Sequence, residues 1–174
     1  MQLGVVRHST NLEGMMIQLR KMKADEFPEY VAYFVPDYAA EISSNYDVDM
    51  ETARATAECA VKDDLPQGVD TPNQVLLCAI IEADQTESLV GYLWCKPDFE
   101  EKTIFISDFY ILPEHRGRGY GLSALIALDT IYLNTPYDEF RLRVAADNKT
   151  AERLYLRAGY LPTGINMRKA INKT

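Results

Sequence analysis

The sequence predicts an α/β layer fold built on a mixed sheet, and three observations predict it. Short apolar runs with strand character alternate with amphipathic stretches of helical period. Three strand-like runs, over residues 75–81, 89–95 and 102–112, follow one another with no helix between them, so the first half of the sheet is antiparallel. The later strand-like runs are separated by helix-length segments, which a parallel crossover requires. The 174 residues are enough for one domain with a sizeable core, and 47% apolar content excludes a wholly disordered chain.

Residues 1–14 carry no sustained period and precede a second methionine pair, Met15 and Met16. They read as an N-terminal extension or cloning remnant, with a single domain over 15–174. Residues 16–22 alternate apolar and polar, as a half-buried strand does. Asp25 can cap a helix from Glu26 whose apolar face is Phe27, Tyr30, Val31 and Phe34. Pro36 is expected to end it, and Asp37 to start a second set of turns with Tyr38, Ile42 and Tyr46. Asp49 caps a third helix, from Met50 to about Lys62, which Pro66 and Gly68 stop. Residues 67–73 form a loop. The runs 75–81 and 89–95 make a hairpin across the acidic stretch 82–88. The run 102–112 adds the next strand, and Pro113 closes it. A glycine-rich turn then enters an apolar helix from about Gly119 to Asn134. A strand over 140–144, a helix from Asn148 to Gly159, and one or two strands between Tyr160 and Ala170 complete the chain.

The formal net charge is -8. An acidic surface repels phosphate backbones, which argues against a nucleic-acid partner. The charge suits a cationic amine substrate, and it also serves solubility alone. Cys59, Cys78 and Cys95 show neither paired nor metal-ligand spacing, and His8 and His115 do not complete a usual zinc site with them. No metal is expected. No apolar stretch approaches a membrane span and no signal peptide is visible, so the expectation is a cytoplasmic protein with no membrane partner.

The most informative stretch runs from Asp108 to Gly121. A buried strand enters a turn with Gly117, Gly119 and Gly121, and the turn opens into a helix. Glycine permits positive φ and close approach of a ligand. The first amides of a helix lack internal partners and sit at the positive end of its dipole. Such a junction holds an anion, and Arg116 and Arg118 add charge beside it. A tight turn without a ligand is the plainer alternative. A P-loop needs Gly-Lys-Ser/Thr, which is missing, so a magnesium-dependent ATP enzyme is disfavoured. A dinucleotide site needs G-x-G-x-x-G early in a βαβ unit; here the spacing is G-x-G-x-G, late in the chain.

The pattern Arg116-x-x-Gly119-x-Gly121 instead resembles the acetyl-CoA loop of the GNAT family of N-acetyltransferases, whose motif reads Gln/Arg-x-x-Gly-x-Gly/Ala. Ile111-Leu112-Pro113 is similar to the Val/Ile-x-Pro that ends this family's fourth strand. Asn148, Ala151, Leu154, Tyr155, Gly159 and Tyr160 match its next motif, Asn-x-x-Ala-x-x-Leu-Tyr-x-x-x-Gly-Phe/Tyr. The gap between the two motifs holds one helix and one strand, as the family requires. The resemblance covers nearly all of residues 16–173, strongest over 104–160 and weak over 25–65.

The resemblance implies the GNAT acyl-CoA N-acyltransferase fold: a central mixed sheet of six to seven strands, helices on both faces, splayed between the fourth and fifth strands. That gap would lie between residues 108–112 and 141–144. It implies an enzyme that moves the acetyl group of acetyl-CoA, its co-substrate, directly to a primary amine of a small molecule or peptide. Backbone groups of Tyr110, Ile111 and Leu112 would bond the pantetheine arm as an added strand would. The turn of Arg116, Gly117, Arg118, Gly119, Tyr120 and Gly121 would hold the pyrophosphate. Asn148 would touch the coenzyme as well as cap its helix. A backbone N–H of the fourth strand would stabilise the oxyanion. Tyr155 would contact the coenzyme and protonate its departing thiolate, since a phenol of pKa about 10 stays protonated at neutral pH. By spacing alone, Ala151, Leu154, Tyr155 and Ala158 form a helix face that would make Tyr155 a core residue. Many members of the family carry a glutamate base on the fourth strand. Asp108 is the only carboxylate inside that strand here, and it is either a base whose pKa burial raises or a satisfied structural aspartate. The family commonly forms homodimers, though no residue pattern here defines an interface.

Three readings lie outside the motifs. Tyr30, Tyr33, Phe34, Tyr38 and Tyr46 make the early helical region aromatic, either as core or as a wall of the acceptor site. His115 reads as an exposed loop residue and Trp94 as core. The rival function, from another class, is a non-catalytic coenzyme A-binding sensor or regulatory module. Tyr155 favours the enzyme, because a pure binder need not keep a proton donor at the thiolate.

Overall fold

The computed structural model describes residues 17–83, 86–169 and 171, so the leader over 1–14 lies outside the described residues. The chain forms β1 (Gln18–Lys21), α1 (Phe27–Tyr46), α2 (Met50–Asp64), β2 (Val75–Ala83), β3 (Thr86–Asp98), β4 (Thr103–Ile111), α3 (Tyr120–Tyr132), β5 (Glu139–Leu142) and α4 (Lys149–Arg157). The five strands lie in one sheet in chain order. The first three pairings are antiparallel. The β4–β5 pairing is parallel, and α3 supplies the crossover it needs.

Burial explains why β2 reads as an almost continuous apolar run. Leu76, Cys78 and Ile80 face one core, with Tyr30, Phe34 and Ile42 of α1 and with Tyr92 and Trp94 of β3. Leu77, Ala79 and Ile81 face the other, with Leu125 and Leu128 of α3. A strand covered on both faces has no need of polar alternation. The helices α1 and α2 thus cover one face and α3 the other.

Several expectations are corrected. Pro36 does not end the first helix; α1 runs unbroken from Phe27 to Tyr46 with Pro36 inside it. Proline removes the bond to the carbonyl four residues earlier and its ring crowds that carbonyl, a local cost that continued burial can offset. Pro36 and Ala32 both lie on the exposed side, where water satisfies that carbonyl, while Phe34, Val35, Ala39 and Ile42 carry the buried face past them. Asp25 does not cap α1; Glu26 occupies the cap position without a side-chain cap bond and spends its carboxylate on Arg20, at 2.7 and 2.8 Å. The acidic stretch 82–88 is mostly ladder, with Glu82 opposite Glu87 and Ala83 opposite Thr86. The sheet has five strands among the described residues, not six to seven, because 161–169 forms no strand. Leu161, Ile165 and Met167 alternate like a strand but are 81%, 87% and 92% exposed. A strand exists only where an edge accepts its hydrogen bonds, and periodicity cannot supply the edge. Asp49 does cap α2, accepting from the Thr52 N–H at 2.9 Å.

Candidate active site

The site begins where β4 loses a neighbour. Its ladder with β5 joins Thr103 through Ile106 to Glu139 through Leu142, and residues 107–111 run on without a described partner on that side. Residues 141 and 142 are therefore still paired, and the opening starts at Ser107 on β4, one residue before the motif implied, and past Leu142 on β5, two residues after. On the other side, Trp94 pairs with Asp108 and Cys95 with Ile106, leaving Ser107 unmatched as a β-bulge. A bulge breaks the alternation of side chains and re-aims them. Ser107 and Asp108, adjacent in sequence, consequently line the same cavity.

Backbone direction follows from the antiparallel pattern. The Leu112 N–H donates to the Val90 carbonyl at 2.9 Å, so the next pair, Gly91 with Ile111, is a non-bonded one. The polar backbone groups of Ile111 and Phe109 then point into the opening, and those of Tyr110 point at β3. Phe109, not singled out from the sequence, therefore joins Ile111 on the open edge, and Tyr110 leaves it. Gly91 is what permits this register: a Cβ there would lie 2.1 Å from the Tyr110 carbonyl oxygen.

Past Ile111, a short 3-10 turn over Pro113–His115 leads to the glycines. Gly117 and Gly119 have φ of 73° and 83°, with nothing within 4 Å of an added Cβ. Backbone conformation, not packing, requires glycine at both. Gly119 caps α3 with no side chain to offer, so the first amides of α3 receive no side-chain cap. Gly121 differs: its Cβ would meet Leu154 Cδ2 at 3.0 Å, so its smallness lets α3 and α4 approach. Arg116 folds back, donating from Nε to the Ile111 carbonyl at 2.9 Å, with its guanidinium 4.9 Å from the Tyr110 ring centre. Tyr120 packs near His115, ring centres 6.0 Å apart. His115 is half-buried, with a buried Nδ1 that has no partner among the described residues, which corrects its reading as an exposed loop residue.

Asp108 is held by two phenols of α1. Tyr33 donates to Oδ1 at 3.1 Å and Tyr30 to Oδ2 at 3.2 Å. Burial pushes the Asp108 carboxyl up to about 7, the two hydroxyl bonds oppose the rise, and the Asp37 charge adds to it. A carboxyl poised near neutrality is what a general base needs. Tyr30 is fully buried, and burial followed by the Asp108 charge raises both phenols well above their ordinary value. Tyr33 also stacks on Tyr110, ring centres 3.6 Å apart. Of the early aromatics, Tyr30 and Phe34 are buried in the core, Phe34 and Tyr38 line the cavity beside Asp108, and Tyr46 is exposed and does neither.

Asn148 caps α4, accepting from the Ala151 N–H at 3.0 Å. Tyr155, on α4, packs edge-on to Tyr160 at 5.5 Å. Burial first, then the Asp108 and Glu41 charges, raise its phenol and keep it protonated. Trp94 is buried as expected; its Nε1 donates to Gln74 Oε1 at 2.6 Å, and its ring also lines the cavity. No metal-ligand cluster occurs among the described residues.

The Acetyltransferase (GNAT) family model matches residues 37–160. The uncharacterized N-acetyltransferase YycN of Bacillus subtilis is 31% identical over 159 residues, covering 90% of this chain and 100% of its own. The crystal structure of YycN matches with a TM-score of 0.82 over 90% of this chain and 99% of that one, at 31% identity. A spermidine N-acetyltransferase from Vibrio cholerae, solved with CoA and spermine, matches with a TM-score of 0.58 over 86% of this chain and 83% of that one. At 15% identity that match concerns the fold alone.

Proposed function

Because the chain belongs to the acetyltransferase (GNAT) family, we propose that it moves the acetyl group of acetyl-CoA directly onto a primary amine of a small molecule or peptide. One observation carries this reading. The opening of the sheet at Ser107, the glycine turn and the near-neutral Asp108 lie on one continuous stretch of chain, from residue 107 to residue 121.

The residues divide the work by their chemistry. The open-edge amides and carbonyls of Phe109 and Ile111 bond the amides of the pantetheine arm. The uncapped amides at the start of α3, freed by Gly117 and Gly119, take the pyrophosphate. Arg118 adds charge at this turn, while Arg116 braces the end of β4 through Ile111 and Tyr110. Asp108 accepts the proton the amine loses as its nitrogen bonds the acetyl carbon. As the carbon–sulfur bond breaks, Tyr155 donates its proton to the sulfur. Burial suits each to its direction: it makes the carboxyl more basic and keeps the phenol loaded. Asn148 fixes the start of the helix that carries Tyr155.

We place the enzyme in the cytoplasm on its three free cysteines. Among the described residues no helix is long and apolar enough to cross a membrane. The test is calorimetry with CoA and acetyl-CoA, followed by thiol release against an amine panel. Heat on binding with amine-dependent thiol release is expected. Binding without release from any amine would make the chain a sensor, and absence of binding by folded protein would overturn the donor site.

A further inference from the structure

Two hydroxyls hold Asp108, and they come from differently placed residues. Tyr30 is fully buried and belongs to the core, where its ring meets Phe34 and Tyr92. Tyr33, further along α1, is only half-buried. Its hydroxyl donates to Asp108 Oδ1 at 3.1 Å. Its ring stacks on Tyr110, centres 3.6 Å apart, and on Tyr92, centres 6.0 Å apart. Tyr92 and Tyr110 are direct partners in the β3–β4 ladder. The seat of the Tyr33 ring is therefore set by a cross-strand pair and not by a loop.

That seat lies on the strand which the transferase reading gives to the coenzyme. Tyr110 stands between Phe109 and Ile111, whose polar backbone groups point into the opening. Arg116, at the entrance to the glycine turn, places its guanidinium 4.9 Å from the Tyr110 ring centre and bonds the Ile111 carbonyl. Arg116, Tyr110, Tyr33 and Asp108 thus meet in series, from the turn to the carboxyl. A hydroxyl bond fixes which way a buried carboxylate faces, and it favours the ionised form against burial.

We propose that Tyr33 is a positioning residue of the transfer reaction: its hydroxyl aims the Asp108 carboxylate, and its stack on Tyr110 holds that aim in register with residues 109–111 of β4. This rests on the transferase reading above and adds the residue through which its base is oriented. The other charged groups around Asp108 come from several elements. Asp37 and Glu41 on α1, Asp64 on α2, Lys96 on β3 and Arg143 after β5 share its cavity, and the Tyr155 phenol on α4 feels its charge. Tyr33→Phe alters none of these and keeps the ring, so a change in the titration of Asp108 reports the lost hydroxyl bond.

The experiment titrates the full chain by NMR with its aspartate carboxyl carbons isotopically labelled; Asp108→Asn identifies the Asp108 signal by its absence. Tyr33→Phe should move the Asp108 midpoint upward by about one pH unit, since a hydroxyl bond to a charged group is worth about tenfold. Thiol release from acetyl-CoA, with the panel amine turned over fastest, should follow the same curve. At about pH 7 kcat/KM should fall about fivefold, and the loss should close by about pH 9 as Asp108 ionises in both proteins. Both proteins see the same amine, so its own titration cancels in the ratio. In a Tyr110→Leu background the displacement caused by Tyr33→Phe should shrink to less than about half, because the unstacked ring no longer keeps its hydroxyl on Oδ1. An unmoved midpoint in Tyr33→Phe, a loss of turnover equal at every pH, or a displacement undiminished by Tyr110→Leu overturns the positioning role and leaves the transferase standing. No thiol release by the wild type from any amine, with CoA still bound in calorimetry, overturns both.

Discussion

Asp108→Asn keeps the outline of a side chain and removes its charge. In the fold the carboxyl titrates at about 7 instead of 3.8, chiefly because burial disfavours the ionised form. The rise is about three units, and at about 1.36 kcal/mol per unit it makes ionised Asp108 cost about 4 kcal/mol. Between these two values the folded chain keeps a proton that the unfolded chain has released. The stability this group contributes is therefore complete below 3.8, falls as pH rises, and is gone above about 7. Asparagine has no proton to lose, and its amide still bonds Tyr30 and Tyr33, whose hydroxyls can turn to accept. Urea unfolding across this range should show the variant gaining on the wild type as pH rises, by up to about 4 kcal/mol near pH 8. Thiol release should move the opposite way. Wild-type kcat/KM should climb through about pH 7 as the base ionises, and the variant should lose about 10²–10⁴-fold. Parallel stability curves for the two proteins across this range would refute the perturbed carboxyl. A variant that keeps wild-type turnover would refute its role as base.

Other substitutions test neighbouring parts of the structure. Tyr155→Phe keeps the packing on Tyr160 and removes the proposed proton donor, so kcat should drop about 10²-fold or more while calorimetry with CoA changes far less. Gly91→Ala drives a Cβ to 2.1 Å from the Tyr110 carbonyl, a backbone atom that cannot rotate away. The strain should remove about 1–3 kcal/mol of stability and weaken CoA binding by displacing the open edge of β4; an unchanged urea midpoint would contradict the register. Asn148→Ala deletes the side-chain acceptor for the Ala151 N–H and should lower stability by about 1 kcal/mol at unchanged m-value, with a loss of kcat if α4 positions Tyr155.

Local chemistry made much of the molecule readable in advance. The cap at Asp49, the cap at Asn148 and the positive-φ glycines of the turn need only neighbours a few residues away. The β2–β3 hairpin and the crossover through α3 follow from apolar runs and the spacing between them. The misreadings share a cause. Pro36 breaks an isolated helix, but the buried face of α1 continues past it. Residues 161–169 have the pattern of a strand, but a pattern is not a bonding edge.

Asp108 marks the boundary between the two kinds of knowledge. The chain alone identified it as the one carboxylate in its strand, and left it a base or a structural group. Its two hydroxyl partners lie 78 and 75 residues away, so no window of sequence contains them. The bulge that turns Ser107 and Asp108 into one cavity depends on how β3 happens to pair. Motif and period determined the layers, the glycine turn and the candidate proton donor, because those are short-range properties of the chain. Which carboxyls stand unpaired, and which are lifted toward neutrality, was decided only when distant elements closed over them and took water away.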